Sequence, residues 1–352
     1  MLVNQAQFDR VVNRFLIKEG VSMDNLEITS LKSSDINHVL DHIFKTVVQN
    51  REGALADYIP ELAKIDPDLF GLALATKNGK VYSIGDVAST FTIQSISKAL
   101  NYCIALELMG REAVLERVGV EPSGDRFNAI EFDPRTLRPY NPMVNAGAIT
   151  IAGLLCDRLG DEAYPYILDR FSQAAGRQLE LDKGVYRSEL LTGHRNRAIG
   201  HLLLSTQAIE EPVDRALDLY FRQCSISVTA VDLAVIGATF ANLGQNPLTG
   251  KQVFETTAVR NTLSVMFTCG MYDYSGNWAH DVGLPAKSGV GGGILGIVNR
   301  QLGIGTFSPR LDSNGNSVRG LASFQILSDE FGLHAFDPTN RGSGLVSHFF
   351  DH

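Results

Sequence analysis

The chain has 352 residues, 44% hydrophobic and 20% charged, an ordinary globular composition long enough to bury a large core. A formal net charge of -8 argues against nucleic acid as a partner, since phosphate binding needs clustered Lys and Arg. No apolar run approaches the ~20 residues of a membrane span, and the start Met1-Leu2-Val3-Asn4-Gln5 lacks the basic opening and apolar block of an export signal, so a cytoplasmic location is expected.

Residues 1–35 read as an N-terminal extension, an extra helix and a connector. Ile36 to Val48 carries a helical pattern with His38 and His42 at i, i+4. That spacing suits a zinc-binding helix, but the glutamate of the metalloprotease motifs is missing, and an amphipathic helix is expected. Asp57-Tyr58-Ile59-Pro60 reads as a loop. Asn78-Gly79, between the runs Gly71–Lys77 and Lys80–Ile84, predicts a hairpin, because both turn residues tolerate positive φ.

Gln94-Ser95-Ile96-Ser97-Lys98 then opens an apolar-periodic helix. Ile96, Ala99, Leu100, Cys103, Ile104 and Leu108 share a face, and Gly110 ends the pattern. Ser95 falls at the helix N-terminus, where free backbone N–H groups favour developing negative charge. Lys98 is its neighbour one turn on. A Ser-x-x-Lys pair can supply a nucleophile and the amine that deprotonates it. Taken alone the signal is weak, and most such four-residue matches are an N-cap serine followed by a solvated lysine.

From there to about residue 260 the pattern is helical, broken by polar loops. Asn145, opening an apolar helix, fits an N-cap. Glu189 and Asn196 are seven apart and share a face if one helix spans both. Tyr220 and Tyr272 are read either as site residues or as packed aromatics with satisfied hydroxyls. Cys103, Cys156, Cys224 and Cys269 are widely spaced and read as buried free thiols, neither a disulfide framework nor a zinc site.

Lys287-Ser288-Gly289 is the second motif. Ser-x-x-Lys early and Lys-Ser/Thr-Gly late is the pairing of serine β-lactamases and penicillin-binding proteins. Gly291 to Gly296 formally matches G-x-G-x-x-G, but a strand follows the glycines where a nucleotide site needs a helix; the glycines are expected to let backbone come close to something. Ile294–Val298 and Leu302–Phe307 predict a second hairpin, Asp312-Ser313-Asn314-Gly315-Asn316 a turn and Ser317–Phe331 a closing helix. The fold expected is α/β: an antiparallel sheet flanked by helices and built from both chain ends (36–92 and 262–332), with an all-helical lobe inserted (93–261) and a C-terminal tail (333–352). The two motifs would meet at the lobe boundary, a usual place for a pocket.

Taken together, these segments resemble the serine-dependent glutaminases, relatives of the β-lactamase/transpeptidase fold. The matching pieces are Asp57–Pro60, Gln94–Lys98, Glu121-Pro122-Ser123-Gly124 with Phe127-Asn128, and Asn141-Pro142-Met143-Val144-Asn145-Ala146-Gly147-Ala148. They continue with Ser188-Glu189, Arg195-Asn196, Tyr220 with Cys224-Ser225, Gly270-Met271-Tyr272-Asp273 and Gly283 through Gly293. The order and spacing hold from about residue 40 to 330; Asn299-Arg300 stands where a proline-containing turn is expected.

The resemblance implies hydrolysis of L-glutamine to L-glutamate and ammonia through an acyl-enzyme, with no metal or organic cofactor. By it Ser95 is the nucleophile and Lys98 the base, with Tyr272 a possible proton relay. The backbone N–H groups of Ser95 and Val290 would hold the oxyanion. Tyr58, Asn145, Glu189, Asn196, Tyr220 and Tyr272 would line the substrate pocket, and the family suggests a homodimer or homotetramer. The substrate's own chemistry agrees: its ammonium needs a carboxylate such as Glu189, and its carboxylate suits amide and phenol donors such as Asn196 and Tyr220. Two other readings stand beside this one, a β-lactamase or transpeptidase-type acyl hydrolase and a non-catalytic amino-acid-binding module.

Overall fold

The computed structural model describes residues 33–123, 132–210 and 212–337. The extension before residue 33, Gly124 with Phe127-Asn128, and the tail from residue 338 lie outside the described residues. The strands are β1 (Gly71–Thr76), β2 (Val81–Gly85), β3 (Phe91–Thr92), β4 (Glu180–Leu181), β5 (Ile226–Val228), β6 (Ala286–Gly289), β7 (Gly293–Val298) and β8 (Leu302–Phe307). The helices are α1 (Ser33–Val47), α2 (Ser97–Met109), α3 (Arg111–Arg117), α4 (Asn145–Leu159), α5 (Ala163–Ala175) and α6 (Lys183–Thr192). They continue with α7 (His194–Ser205), α8 (Val213–Cys224), α9 (Ala230–Ala241), α10 (Thr256–Cys269), α11 (Ser275–Asp281) and α12 (Val318–Phe331).

The main sheet has the order β2-β1-β8-β7-β6, antiparallel throughout. Both expected hairpins are present, Val298 facing Leu302 in the second. In the first, Ala75 faces Val81 and the Thr76 N–H meets the Lys80 carbonyl oxygen, so the loop is Lys77-Asn78-Gly79, with Gly79 at φ +81° and Asn78 not in the left-handed region. Strands from the two chain ends meet at the β1–β8 pairing, where Gly71 opposes Phe307. The period-2 alternation of a strand sorts its residues onto two faces. Leu72, Leu74, Ile294 and Ile304 share one core cluster with Ile36, Leu40 and Ile43 of α1 and Phe324 and Leu327 of α12. Ala73, Ala75, Leu295 and Ile297 share the other with α9.

The face toward α9 is lined with small residues for a reason visible in the geometry. A Cβ on Gly303 would lie 2.1 Å from the Ala238 nitrogen, and one on Gly305 2.1 Å from the Ala230 carbonyl oxygen. On the helix, a Cβ on Gly237 would lie 2.8 Å from Gly303 Cα. Helix and sheet therefore touch backbone to backbone, and any side chain at these points would force them apart.

Three features differ from the sequence expectations. Helix α2 is buried on every side from Ser97 to Leu106, whereas its periodicity predicts a single buried face; it is packed among α4, α10 and the turn bearing Ser95. Gly193 separates α6 from α7, so Glu189 and Asn196 stand on different helices. A second small sheet, β3-β5-β4, has strands too short to show periodicity. The histidines expected on an amphipathic helix are exposed on α1, with His42 Nε2 3.5 Å from Glu330. Asp312 to Asn316 forms the expected turn, Asp312 Oδ1 accepting from the Asn314 and Asn316 N–H groups.

Candidate active site

Ser95 lies in a single 3-10 turn, Gln94–Ile96, that runs directly into α2. The turn is pressed against β6: a Cβ on Gly289 would lie 2.9 Å from the Ile93 carbonyl oxygen, and one on Gly291 2.6 Å from that of Thr92. The glycine-rich run after Lys287 thus lets backbone approach the serine turn. Gln94 has φ +47° and Tyr272 φ +56°. Both are non-glycine residues in the left-handed region, which costs roughly 1–3 kcal/mol each and survives only where the surroundings over-determine it.

The groups around Ser95 form one connected set. The Tyr272 hydroxyl donates to the Ser288 carbonyl oxygen at 3.0 Å, which leaves its own oxygen to accept from the Ser95 hydroxyl and the Val290 N–H. Lys98, 1% exposed, donates from Nζ to Asn145 Oδ1 at 2.6 Å and to the Met143 carbonyl oxygen at 3.3 Å. Asn145 in turn donates from Nδ2 to Asn196 Oδ1 at 2.9 Å. Asn145 is the first residue of α4, and Val144 holds the cap position. The N-cap expectation is therefore corrected: the side chain serves Lys98 and Asn196, not its own helix.

Lys287, also fully buried, donates from Nζ to the carbonyl oxygens of Ser288 at 2.7 Å and Gly270 at 3.0 Å. Its ammonium lies 4.3 Å from the centre of the Tyr272 ring. Opposite, Glu189 is buried and meets the Tyr58 hydroxyl at 2.9 Å from Oε1. The same hydroxyl lies 2.8 Å from Gln94 Oε1. One hydroxyl proton can serve one acceptor only, so the second contact needs a protonated Glu189 or a Gln94 amide turned over to donate. Tyr58 is half-exposed, on a loop tied to α6 by the Ser188 hydroxyl bonding Glu61. Tyr220 is buried on α8 and hydrogen-bonded to Cys224.

Burial sets the proton affinities. It lowers Lys98 to about 8, against the opposing pull of Cys224 and Glu189. Lys287 falls well below the ordinary lysine value, through burial first and the nearby Lys98 second. Burial raises Glu189 to about 7, although the Tyr58 bond and Lys98 pull it down. It also pushes the Tyr272 phenol up and the Cys224 thiol to about 12. Lys98 is thus a far easier proton acceptor near neutrality than Tyr272, which is suited to pass a proton on rather than keep it. All four cysteines are buried and free. Among the described residues no group of three or more His, Cys, Asp or Glu is placed to hold a metal ion.

Every site residue expected from the sequence falls in this one region. Sequence reasoning missed Gln94, which is flagged only by its place before Ser95, and the Ser97–Gln223 contact, which no local signal announces. Val290 and Gly291 also border a separate cavity of about 270 Å³ walled by Ala56, Glu61, Thr92 and Asp182, in which Ser95 takes no part.

Comparison with known proteins places this arrangement. Residues 53–336 match the family model described as Glutaminase. The glutaminase of Nostoc sp. (strain PCC 7120 / SAG 25.82 / UTEX 2576) is 48% identical over 93% of this chain and 97% of its own length. That of Corynebacterium glutamicum is 47% identical over 88% of this chain and 75% of its own. Among solved structures, a probable glutaminase named ybaS superposes with a TM-score of 0.81 at 38% identity, covering 87% of this chain and 99% of that one. Mglu in its glutamate form gives a TM-score of 0.82 at 40% identity over 87% of this chain and 71% of its own. The fold is thus that of the solved glutaminases, and the chain belongs to the glutaminase family.

Proposed function

We propose that this enzyme hydrolyses L-glutamine to L-glutamate and ammonia through an acyl-enzyme on Ser95, on a two-lobed fold of the β-lactamase/transpeptidase type. The observation that carries the mechanism is a buried lysine with a lowered proton affinity beside a serine hydrogen-bonded to Tyr272. Ser95 Oγ attacks the side-chain amide carbon and gives its proton to the Tyr272 oxygen, while the Tyr272 hydroxyl proton leaves the Ser288 carbonyl and passes to neutral Lys98. The oxyanion rests on the Ser95 N–H and on the Val290 N–H, which exchanges the Tyr272 oxygen for it when substrate binds. The carbon–nitrogen bond then breaks, the nitrogen takes the proton from Lys98 and leaves as ammonia, and water repeats the sequence on the ester to release glutamate.

Glu189 holds the substrate ammonium, while Asn196, Tyr220 and the Tyr58 hydroxyl supply polar contacts to the amino-acid head. The crystal structure of the similar protein Mglu in its glutamate form supports glutamate as a ligand of such a pocket. The deciding assay is ammonia release from L-glutamine with mass-spectrometric trapping of a glutamyl adduct on Ser95. No ammonia from correctly folded protein would overturn the reading.

Two further outcomes follow from the clamp. Glu189→Gln should raise KM about ten- to a hundredfold, the worth of a lost charge-assisted hydrogen bond of roughly 1.5–3 kcal/mol. It should also remove the ionisation near 7 from the pH profile of kcat/KM; an unchanged KM and profile would place the ammonium elsewhere. L-asparagine should be a poor substrate, because a head held by Glu189 leaves an amide one methylene short of Ser95, and misplacement by about 1 Å costs on the order of a hundredfold. Equal kcat/KM for the two amides would show that the head is not clamped.

A further inference from the structure

The Gln94 backbone, left-handed at φ +47°, needs something to hold it, and a buried polar chain behind the serine turn does so. The Gln94 carbonyl oxygen accepts from the Ser97 hydroxyl at 2.7 Å and also from the Ser97 N–H. A carbonyl can only accept, so the single Ser97 hydroxyl proton is committed to it. Ser97 Oγ must therefore accept from its other neighbours, Gln223 Nε2 at 3.2 Å and the Cys224 thiol, to which it is also hydrogen-bonded. That requirement fixes which way the Gln223 amide faces, and Asn101 Nδ2 donates to its Oε1. Ser97, Gln223 and Asn101 are all buried. Gln223 stands on α8, three residues beyond Tyr220, so one helix carries both a substrate-facing phenol and the far end of this chain.

We propose that Gln223 is a positioning residue for the reaction: through Ser97 it holds the Gln94 carbonyl, and with it the left-handed turn that aims the Ser95 hydroxyl. The inference rests on Ser95 being the nucleophile. It couples α8, which faces the substrate, to the reacting oxygen without itself touching the substrate or that oxygen.

The test measures kcat and KM for L-glutamine on Ser97→Ala, Gln223→Met and the double variant, with thermal melts to give the folded fraction. Methionine keeps the length of glutamine and removes its donor. Each single variant should lower kcat per folded enzyme about ten- to a hundredfold, the cost of a reacting atom displaced by about 1 Å, with KM close to wild type. The double variant should be no slower than the slower single, because both cuts break the same link. A purely structural role predicts the opposite split: a lower melting temperature with kcat per folded enzyme unchanged, which would overturn the proposal, as would losses that multiply in the double variant. If Gln223→Met does not fold, Gln223→Glu takes its place, keeping the acceptor for Asn101 and losing the donor to Ser97. Ser95→Ala runs alongside: if it keeps turnover, the nucleophile reading fails, whereas an inactive Ser95→Ala with fully active Ser97→Ala and Gln223→Met sinks the Gln223 role alone.

Discussion

Ser95→Ala abolishes ammonia release while leaving glutamine binding close to wild type. In the proposed mechanism only the Ser95 hydroxyl forms the acyl bond, so kcat should fall by roughly four to six orders of magnitude. The binding contacts belong to other residues: Glu189 is buried on α6, Asn196 is on α7 and Tyr220 is on α8. Isothermal titration of the variant with glutamine should therefore still show a complex. Residual turnover within a hundredfold of wild type, in protein expressed free of any host enzyme, would remove the serine from the mechanism. Loss of binding together with turnover would show instead that the serine turn itself is part of the pocket wall.

The second large effect is at Lys98. Lys98→Ala should lower kcat by about 10²–10⁴-fold, the usual worth of a positioned general base, and Lys98→Arg should not restore it, because a guanidinium keeps its proton. The wild-type profile gives the sign. Lys98 acts only when neutral, and burial places that transition at about 8; Glu189 binds an ammonium only when ionised, above about 7. Both groups must lose a proton, so kcat/KM rises with pH across this window, most steeply below 7 where both are still protonated. It falls again when the substrate's own ammonium ionises. A Lys98→Arg enzyme with near-normal kcat would make the lysine an electrostatic support and pass the role of base to Tyr272.

Much of this site was legible in the chain because its chemistry is locally encoded. Ser95 and Lys98 are three residues apart, Lys287-Ser288-Gly289 sits in a glycine run, and Asn78-Gly79 marks a hairpin that is present, though its loop takes in Lys77 as well. What could not be read is geometry created by distant elements. Asn145 looked like a cap because a helix starts there, yet its partners, Lys98 and Asn196, lie 47 and 51 residues away. Tyr58 and Glu189 are 131 residues apart, and only the fold brings hydroxyl to carboxylate. The periodicity of α2 showed one apolar face and could not show that Lys98 and Asn101 on its other sides are buried as well, because their partners come from α4 and α8. Strands of two or three residues, as in β3 and β5, carry too few positions for any pattern.

The contact between α9 and the sheet limits how this molecule can move. Hinged or sliding motion between packed elements needs a layer of side chains that can re-seat, and here Gly237, Gly303 and Gly305 leave backbone against backbone. The helix and the β1-β8-β7 strands beneath it must travel as one body. Opening wide enough to admit glutamine therefore falls to a lighter part, the loop bearing Tyr58, which is held to α6 by the Glu61–Ser188 and Tyr58–Glu189 hydrogen bonds. Those bonds can be traded for water at little cost, whereas the glycine contact has no substitute. Amide exchange should reflect that division, slow across α9 and β8 and fast around Tyr58, with the rate of product departure following the loop rather than the fold.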